Sequence, residues 1–316
     1  SLGITSTSGP GMALKSEAIG LAVMAELPLV ILNVQRAGPS TGMPTKTQQA
    51  DLMQAIHGRN GECPVAVIAA STPSDAFEVG YEAVRLAVKY MLPVIVLSDG
   101  YIANGSEPWL LPDVERLAPI PVQFAPEGQP GSKFLPYARN PETLARPWAK
   151  PGTKGLVHRI GGLEKADITG NICYDADNHQ HMVDTRAKKV ENIQNDIPPI
   201  ETVGPRSGDV LVLGWGSTRG AITAATLQLQ KQGHRISCAS IRYLNPLPKD
   251  LGDLMRGFRK VVLPEMNKGQ LATILRAKYL IDVQSYSQVN GQPFKSHEIL
   301  DYLTKTLAEV TKEVRR

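Results

Sequence analysis

Two blocks of the sequence hold side chains whose types and spacing suit chemistry. The first is Asn33-Val-Gln-Arg-Ala-Gly-Pro-Ser-Thr-Gly-Met-Pro-Thr-Lys-Thr47, directly after an apolar run. It places Arg36 and Lys46 at the two ends of a hydroxyl-rich loop that Pro39 and Pro44 stiffen. A guanidinium grips a carboxylate through two parallel bonds and an ammonium adds a point charge, so the pair suits a substrate bearing carboxylates. An arginine tied to a neighbouring acid is the plainer alternative. The second block is Thr5-Ser-Thr-Ser-Gly-Pro-Gly11, between a strand pattern and a helix pattern. Hydroxyls beside the free N–H groups of a helix start suit an anion, although a tight turn capped by hydroxyls uses the same residues.

Four further groups are weaker. Gly214-Trp-Gly-Ser-Thr-Arg-Gly220 imitates a dinucleotide fingerprint, but its spacing is off by one and no Asp or Glu follows between Gly220 and Lys249. The ribose-binding acid is therefore missing, and the glycines are expected to serve close helix–strand packing. Glu265-Met-Asn-Lys-Gly-Gln270 fits a ligand, a subunit contact or a helix cap equally well. His158, His179, His181 and Cys173 match no usual zinc spacing. Ser98-Asp-Gly100 with Asn104 hints at a diphosphate–magnesium site, yet an ordinary strand-to-helix turn accounts for it better.

These residues need a scaffold, and the apolar pattern supplies one. Leu29–Val34, Val65–Ala70 and Val94–Leu97 read as strands buried on both faces, as in a parallel sheet. Between the last two, Ser74 precedes a helix with Asp75 and Glu78 in its first turn and Phe77, Tyr81, Val84, Val88 and Met91 at helical spacing, ended by Pro93. The same grammar returns with strands at Val210–Leu213 and Lys260–Leu263. A helix capped by Ser217 carries Ile222, Ala225 and Leu229, and the last helix shows Ile299, Leu303, Leu307, Val310 and Val314 on one side. Strands alternating with helices imply α/β domains with open, doubly wound sheets, which bind ligands beyond the carboxyl ends of their strands. Ten of the 24 prolines lie between Pro108 and Pro151, so that stretch must be extended and looped. A short strand and a polar helix from Met182 to Asn192 are expected between 155 and 200. The chain opens at Gly3-Ile-Thr-Ser-Thr7, already inside a strand pattern, so an upstream part of that domain is expected outside this chain.

Composition narrows the class. The 316 residues carry 34 Lys and Arg against 30 Asp and Glu, a net charge of +4 with no basic run, which argues against a nucleic-acid surface. Hydrophobic residues are 42% and charged ones 20%, enough for two cores and far from a disordered composition. Three cysteines without a Cys-x-x-Cys pair exclude an iron–sulfur cluster or four-cysteine zinc site built from this chain alone. No apolar stretch is long enough to span a bilayer, and no basic segment followed by an apolar one opens the chain. A reduced, cytoplasmic protein is the expectation.

Read in order, these blocks resemble the alpha subunits of 2-oxoacid:ferredoxin oxidoreductases, most closely the 2-oxoglutarate type. The resemblance rests on Thr5–Gly11, Val34–Thr45, Leu97–Gly100, His158-Arg-Ile-Gly-Gly-Leu-Glu164, Asn178-His179 with Met182 and Arg186, and Glu265–Leu271. It implies the pyrimidine-binding domain of the thiamine diphosphate fold over 1–117, a proline-rich crossover over 118–204 and a transketolase-C-terminal-like domain over 205–316. Each domain would be an open, mostly parallel sheet with helices on both faces. The resemblance also implies oxidative decarboxylation of a 2-oxoacid on thiamine diphosphate, with electrons to ferredoxin and the acyl group to coenzyme A. A beta subunit would hold the diphosphate, Mg²⁺ and a [4Fe-4S] cluster, making an alpha–beta hetero-oligomer with no nucleic-acid or membrane partner. In this chain Arg36, Lys46, Thr45 and Thr5 would bind substrate, and Ser6, Thr7, Ser8 and Gly9 would lie at the cofactor. No metal ligand is expected here, and the glutamate that activates the pyrimidine would lie upstream of Thr5. Ile160, where the family has Thr, and Lys-Ala-Asp after Glu164 depart from the pattern of the subfamily. Two other readings compete: a different thiamine diphosphate enzyme subunit, and a non-catalytic nucleotide-binding subunit for electron transfer. The second leaves the Arg36–Lys46 loop without a purpose.

Overall fold

The computed structural model describes residues 2–129 and 131–314, with side chains through 312. In chain order, the first half contains β1 (Gly3–Thr7), α1 (Gly9–Leu14), α2 (Ser16–Ala25), β2 (Leu29–Gln35), α3 (Leu52–His57), β3 (Ala66–Ala69), α4 (Asp75–Tyr90), β4 (Pro93–Asp99) and α5 (Gly100–Asn104). A long, largely irregular segment leads to α6 (Ala176–Asn192). The second half contains β5 (Gly208–Gly214), α7 (Arg219–Lys231), β6 (Ile236–Ser240), β7 (Tyr243–Asn245), α8 (Leu251–Arg256), β8 (Phe258–Glu265), α9 (Gln270–Tyr279), β9 (Val283–Ser287) and α10 (Ser296–Val314).

Two sheets result, with strand orders β1-β2-β4-β3-β7 and β6-β5-β8-β9. All pairs are parallel except β3 with β7. Neighbouring residues on a strand point to opposite faces, and both faces are buried. On one face of the first sheet, Val30, Ile68, Val94 and Val96 pack against Val79, Ala83, Leu86 and Tyr90 of α4 and Val190 of α6. Its other face, with Ile31, Val67 and Ile95, meets α1 to α3. The second sheet packs Val210, Val212 and Val262 against α7 and α10. Its opposite face joins α8, α9 and the first half in one continuous core that includes Leu52, Leu211, Trp215, Leu263 and Leu271. The expected α/β architecture, with open and mostly parallel sheets between layers of helix, is what forms.

Several details differ from expectation. The Phe77–Met91 stripe is not the face of α4 that lies on the sheet. Val88 and Met91 instead pack with Trp148 of the proline-rich segment, because α4 is covered on two sides. Helix α6 begins at Ala176, six residues before Met182. Asp175 accepts from the Asn178 amide and caps it, so Asn178 and His179 are helical. No strand forms between 155 and 200 among the described residues; only isolated bridges such as Lys165–Ile172 occur there. Strands β6, β7 and β9 were not anticipated, and β7 leaves its own half to pair with β3. Ser217 does not cap α7: it lies in a single 3-10 turn ahead of it, and its hydroxyl turns to the first half.

Candidate functional site

The carboxyl ends of β1, β2 and β4 lie level, because Thr7 pairs with Asn33, and Asn33 with Leu97. Strand β1 is the exposed border of the sheet, and Thr5 and Ser6 are open to solvent on it. The hydroxyls of Thr5, Ser6, Thr7 and Ser8 make no side-chain hydrogen bond among the described residues; Ser8 stands at the cap position of α1 without capping it. Gly9 is buried, and a Cβ there would come within 2.7 Å of an Asp51 carboxylate oxygen. The turn therefore offers free hydroxyls rather than an empty anion cradle, since an internal carboxylate already faces the start of α1.

Arg36 follows the last residue of β2. It is half-buried, its Nε is buried without a partner, and it forms no ion pair among the described residues. The alternative of an arginine tied to a neighbouring acid is thus not what forms. Beyond it the chain closes into a compact loop. The Ala37 amide donates to the Lys46 carbonyl at 2.9 Å and the Met43 amide to the Ala37 carbonyl at 2.8 Å. Gly42 has a φ of +51°, and a Cβ there would meet the Ala37 carbonyl at 2.0 Å, so only glycine lets the loop close. Arg36 and Lys46 therefore flank one neck. Thr45 and Lys46 are exposed, and Lys46 has no side-chain partner among the described residues. Gly291, in the loop after β9, would place a Cβ 3.0 Å from the Lys46 Cβ, so the second half backs this neck.

Behind the loop stands a buried polar layer. Asn33 Nδ2 donates to Asp51 Oδ2 at 3.0 Å, and the Asp51 amide donates to Gln35 Oε1 at 3.0 Å. Burial pushes the Asp51 carboxyl up, opposed by the Asn33 bond and the attraction of Arg36. Asp99 accepts from Thr47 Oγ1 at 3.0 Å, Ser217 Oγ at 2.5 Å and the Tyr101 and Ile102 amides. Burial raises its pKa too, and those four donors oppose the rise. Asp99 is 1% exposed and serves as the cap of α5, so the Ser98-Asp-Gly100 turn has a structural use and offers no open metal ligand. Gln49 donates to the Trp215 carbonyl at 2.7 Å and accepts from the Met266 amide at 3.1 Å, filling the crevice at the carboxyl ends of β5 and β8.

That filling decides the roles of two sequence blocks. Glu265 accepts from Trp215 Nε1, Asn267 Nδ2 and the Leu271 and Ala272 amides at 3.0–3.1 Å, and it is fully buried. It caps α9 and meets no ligand space. Gly214 would bring a Cβ within 2.7 Å of both Ile222 and Thr218, which is the close helix–strand packing expected of it.

The His158–Arg186 residues lie on the α2 side of the first half, where a Cβ on Gly162 would sit 3.6 Å from Leu21 Cδ1. His179 pairs with Glu164, which also binds Arg186, and His181 pairs with Asp167. His158 bonds the Leu156 carbonyl, and among the described residues no three His, Cys, Asp or Glu are placed to hold a metal. Nearby, Glu26, at the end of α2, receives Arg139 Nη1 and Nη2 at 2.6 and 2.5 Å and also Lys189. Burial favours its neutral form, but Lys189 and Arg139 outweigh that and hold its pKa at about 2. Arg146, also buried, donates to the Ala25 and Glu26 carbonyls.

Gln49, Asp51 and the Thr47–Asp99–Ser217 bonds were not anticipated. Their signal is the polar run Thr47-Gln-Gln-Ala-Asp51, of which Thr47, Gln48 and Gln49 are buried. A buried polar run must be bonded somewhere, and here it is bonded across the two halves. No helix among the described residues is long and apolar enough to cross a membrane.

Comparison with known proteins adds four findings. A family model described as pyruvate flavodoxin/ferredoxin oxidoreductase, thiamine diphosphate-binding, matches residues 1–175. The 2-oxoglutarate oxidoreductase subunit KorA of Mycobacterium tuberculosis is 54% identical over 97% of this chain and 46% of its own length. The alpha subunit of 2-oxoacid:ferredoxin oxidoreductase 2 from Aeropyrum pernix is 34% identical over 96% of this chain and 48% of its own. A solved 2-oxoglutarate:ferredoxin oxidoreductase from Magnetococcus marinus, with 2-oxoglutarate, coenzyme A and succinyl-CoA bound, superposes with a TM-score of 0.90. It is 34% identical over 96% of this chain and 53% of that chain. This chain therefore spans about half the length of the curated relatives named.

Proposed function

The chain belongs to the pyruvate flavodoxin/ferredoxin oxidoreductase family through its thiamine diphosphate-binding domain, and from that premise we propose that it is the alpha portion of a 2-oxoacid:ferredoxin oxidoreductase acting on 2-oxoglutarate. The observation that carries the reading is Arg36: a guanidinium at the carboxyl end of a central strand, with no ion pair among the described residues and a buried, unbonded Nε. A cation kept free at such cost is suited to a substrate carboxylate. The four hydroxyls from Thr5 to Ser8, unbonded among the described residues and beside buried Gly9, fit the polar edge of a cofactor ring, since a hydroxyl can donate or accept as the ring requires. Thiamine diphosphate would supply the nucleophilic carbon and the electron sink for decarboxylation. Arg36 would hold the carboxylate next to the reacting carbonyl, and Thr45 and Thr5 would bond the substrate from either side.

In the same reading Mg²⁺ and the [4Fe-4S] cluster belong to a beta subunit, ferredoxin takes the electrons and coenzyme A takes the acyl group. The test is reconstitution. Co-expressed with its partner subunit, the chain should reduce ferredoxin in a reaction that needs both 2-oxoglutarate and coenzyme A, and the chain alone should not. An assembled, cofactor-loaded complex that oxidises no 2-oxoacid would reject the reading.

Lys46 gives a finer expectation. Its ammonium, without a side-chain partner among the described residues, shares a neck with Arg36, which supports a role for it in receiving the distal carboxylate of a five-carbon dicarboxylate. Lys46→Met should lower kcat/KM for 2-oxoglutarate about tenfold while pyruvate and 2-oxobutyrate turnover changes little. Equal losses on all three substrates would make Lys46 a support of the loop instead.

A further inference from the structure

We propose that Asp99 is the positioning residue for Lys46: gripping Thr47 with one carboxylate oxygen and Ser217 with the other, it ties the Lys46 side of the neck to the second half and so sets the spacing of Lys46 from Arg36. This rests on the reading, given above, of Arg36 and Lys46 as the two cations that hold a 2-oxoacid with a distal carboxylate.

Asp99 caps α5 with one oxygen, Oδ1, which accepts from the Tyr101 and Ile102 amides at 2.9 and 3.2 Å. Such a cap needs no charge, because asparagine or serine serves as well. Yet Asp99 is fully buried and pairs with no cation among the described residues. A buried carboxylate in that state is costly, so its other bonds matter. The Thr47 hydroxyl, from the loop that follows β2, donates to Oδ1 at 3.0 Å. Oδ2 receives the Ser217 hydroxyl at 2.5 Å from the turn that follows β5, the length of a hydroxyl on an ionised carboxylate. One side chain thus joins the end of β4, the neck and the second half.

Each link from Asp99 to Lys46 is a covalent bond, a hydrogen bond or a contact. Thr47 directly follows Lys46, whose carbonyl accepts from the Ala37 amide at 2.9 Å. Gln49, two residues beyond Thr47, is clamped by the second half through the Trp215 carbonyl and the Met266 amide. Lys46 itself lies between two glycines, one from each half. A Cβ on Gly100 would meet the Lys46 carbonyl oxygen at 3.8 Å, and one on Gly291 would meet the Lys46 Cβ at 3.0 Å. Arg36, by contrast, follows the last residue of β2 and belongs to the first sheet. The joint between the halves therefore places one cation relative to the other. A substrate with one carboxylate meets only Arg36, whereas one with two carboxylates meets the spacing.

Ser217→Ala and Thr47→Val each remove one bond of the tie and leave Asp99 to cap α5. Hydrogen exchange on the assembled complex reads the tie itself: the Ala37, Met43 and Lys46 amides, which close the neck, should exchange faster in either variant. In kinetics, either variant should raise KM for 2-oxoglutarate about fivefold, the worth of one hydrogen bond, with kcat and the KM for 2-oxobutyrate unchanged. The two bonds act in series, so the double variant should lose no more than a single one. In a Lys46→Met background, Ser217→Ala should change nothing further. Exchange at the wild-type rate would overturn the proposal, as would equal losses on 2-oxobutyrate, additive losses in the double variant, or a loss that persists without Lys46. Turnover of 2-oxoglutarate by the wild-type complex is read separately. Its absence alongside an intact exchange response rejects the reaction and leaves the tie between Asp99 and the neck standing.

Discussion

Arg36→Lys should lower kcat/KM of the reconstituted enzyme by about 2 kcal/mol, roughly 30-fold, even though the charge is kept. The lysine ammonium is a single point and loses the two-pronged match to a carboxylate. It is also shorter in reach, and nothing in the neck between Arg36 and Lys46 can move to compensate. The Ala37–Lys46 and Met43–Ala37 bonds close that loop, and Gly42 tolerates no side chain. The loss should fall on every 2-oxoacid alike, because all share the carboxylate beside the carbonyl. Wild-type kinetics in Arg36→Lys would remove Arg36 from the substrate site.

Glu26→Gln should be the most destabilising conservative change in the first half, by about 3–5 kcal/mol. It leaves Lys189 buried without its counter-charge and Arg139 with only Asp167, 3.9 Å away, while scarcely altering shape. The carboxyl titrates at about 2 in the folded chain against 4.5 when free. A lowered carboxyl pKa gives stability that is complete above the free value and fades as pH falls toward the folded one. Urea denaturation of the wild type between pH 5 and pH 2 should therefore show an acid loss of about 3 kcal/mol that Glu26→Gln lacks. Parallel curves for the two proteins would place the acid sensitivity elsewhere.

What could be read before folding was what is local. The Arg36–Lys46 loop was legible because glycine and proline punctuate it directly after an apolar strand, and the parallel sheets were legible because buried strands lose the alternation of half-exposed ones. The partners of the site were not. Asp99 receives Ser217 from 118 residues away and Gln49 reaches Trp215 across 166, and nothing local in the sequence announces either. Glu26 reads as an interruption in an apolar stretch, because Arg139 and Lys189 lie 113 and 163 residues away. Strand β7 is three residues long, too short for any period to appear. The Glu265 block was ambiguous for a physical reason: a carboxylate that receives helix N–H groups uses the same residues whether it caps a helix or helps bind a ligand.

The pairing of β7 with β3 bears on how the molecule comes into being on the ribosome. Asn245 bonds the Val65 carbonyl across 180 residues, so the border of the first sheet must wait for that whole stretch to be synthesised. Until then β3 presents an open, apolar strand edge, the kind of surface on which nascent chains pair wrongly with one another. With its halves also sharing one core, the first half gains little from folding before the second has been made.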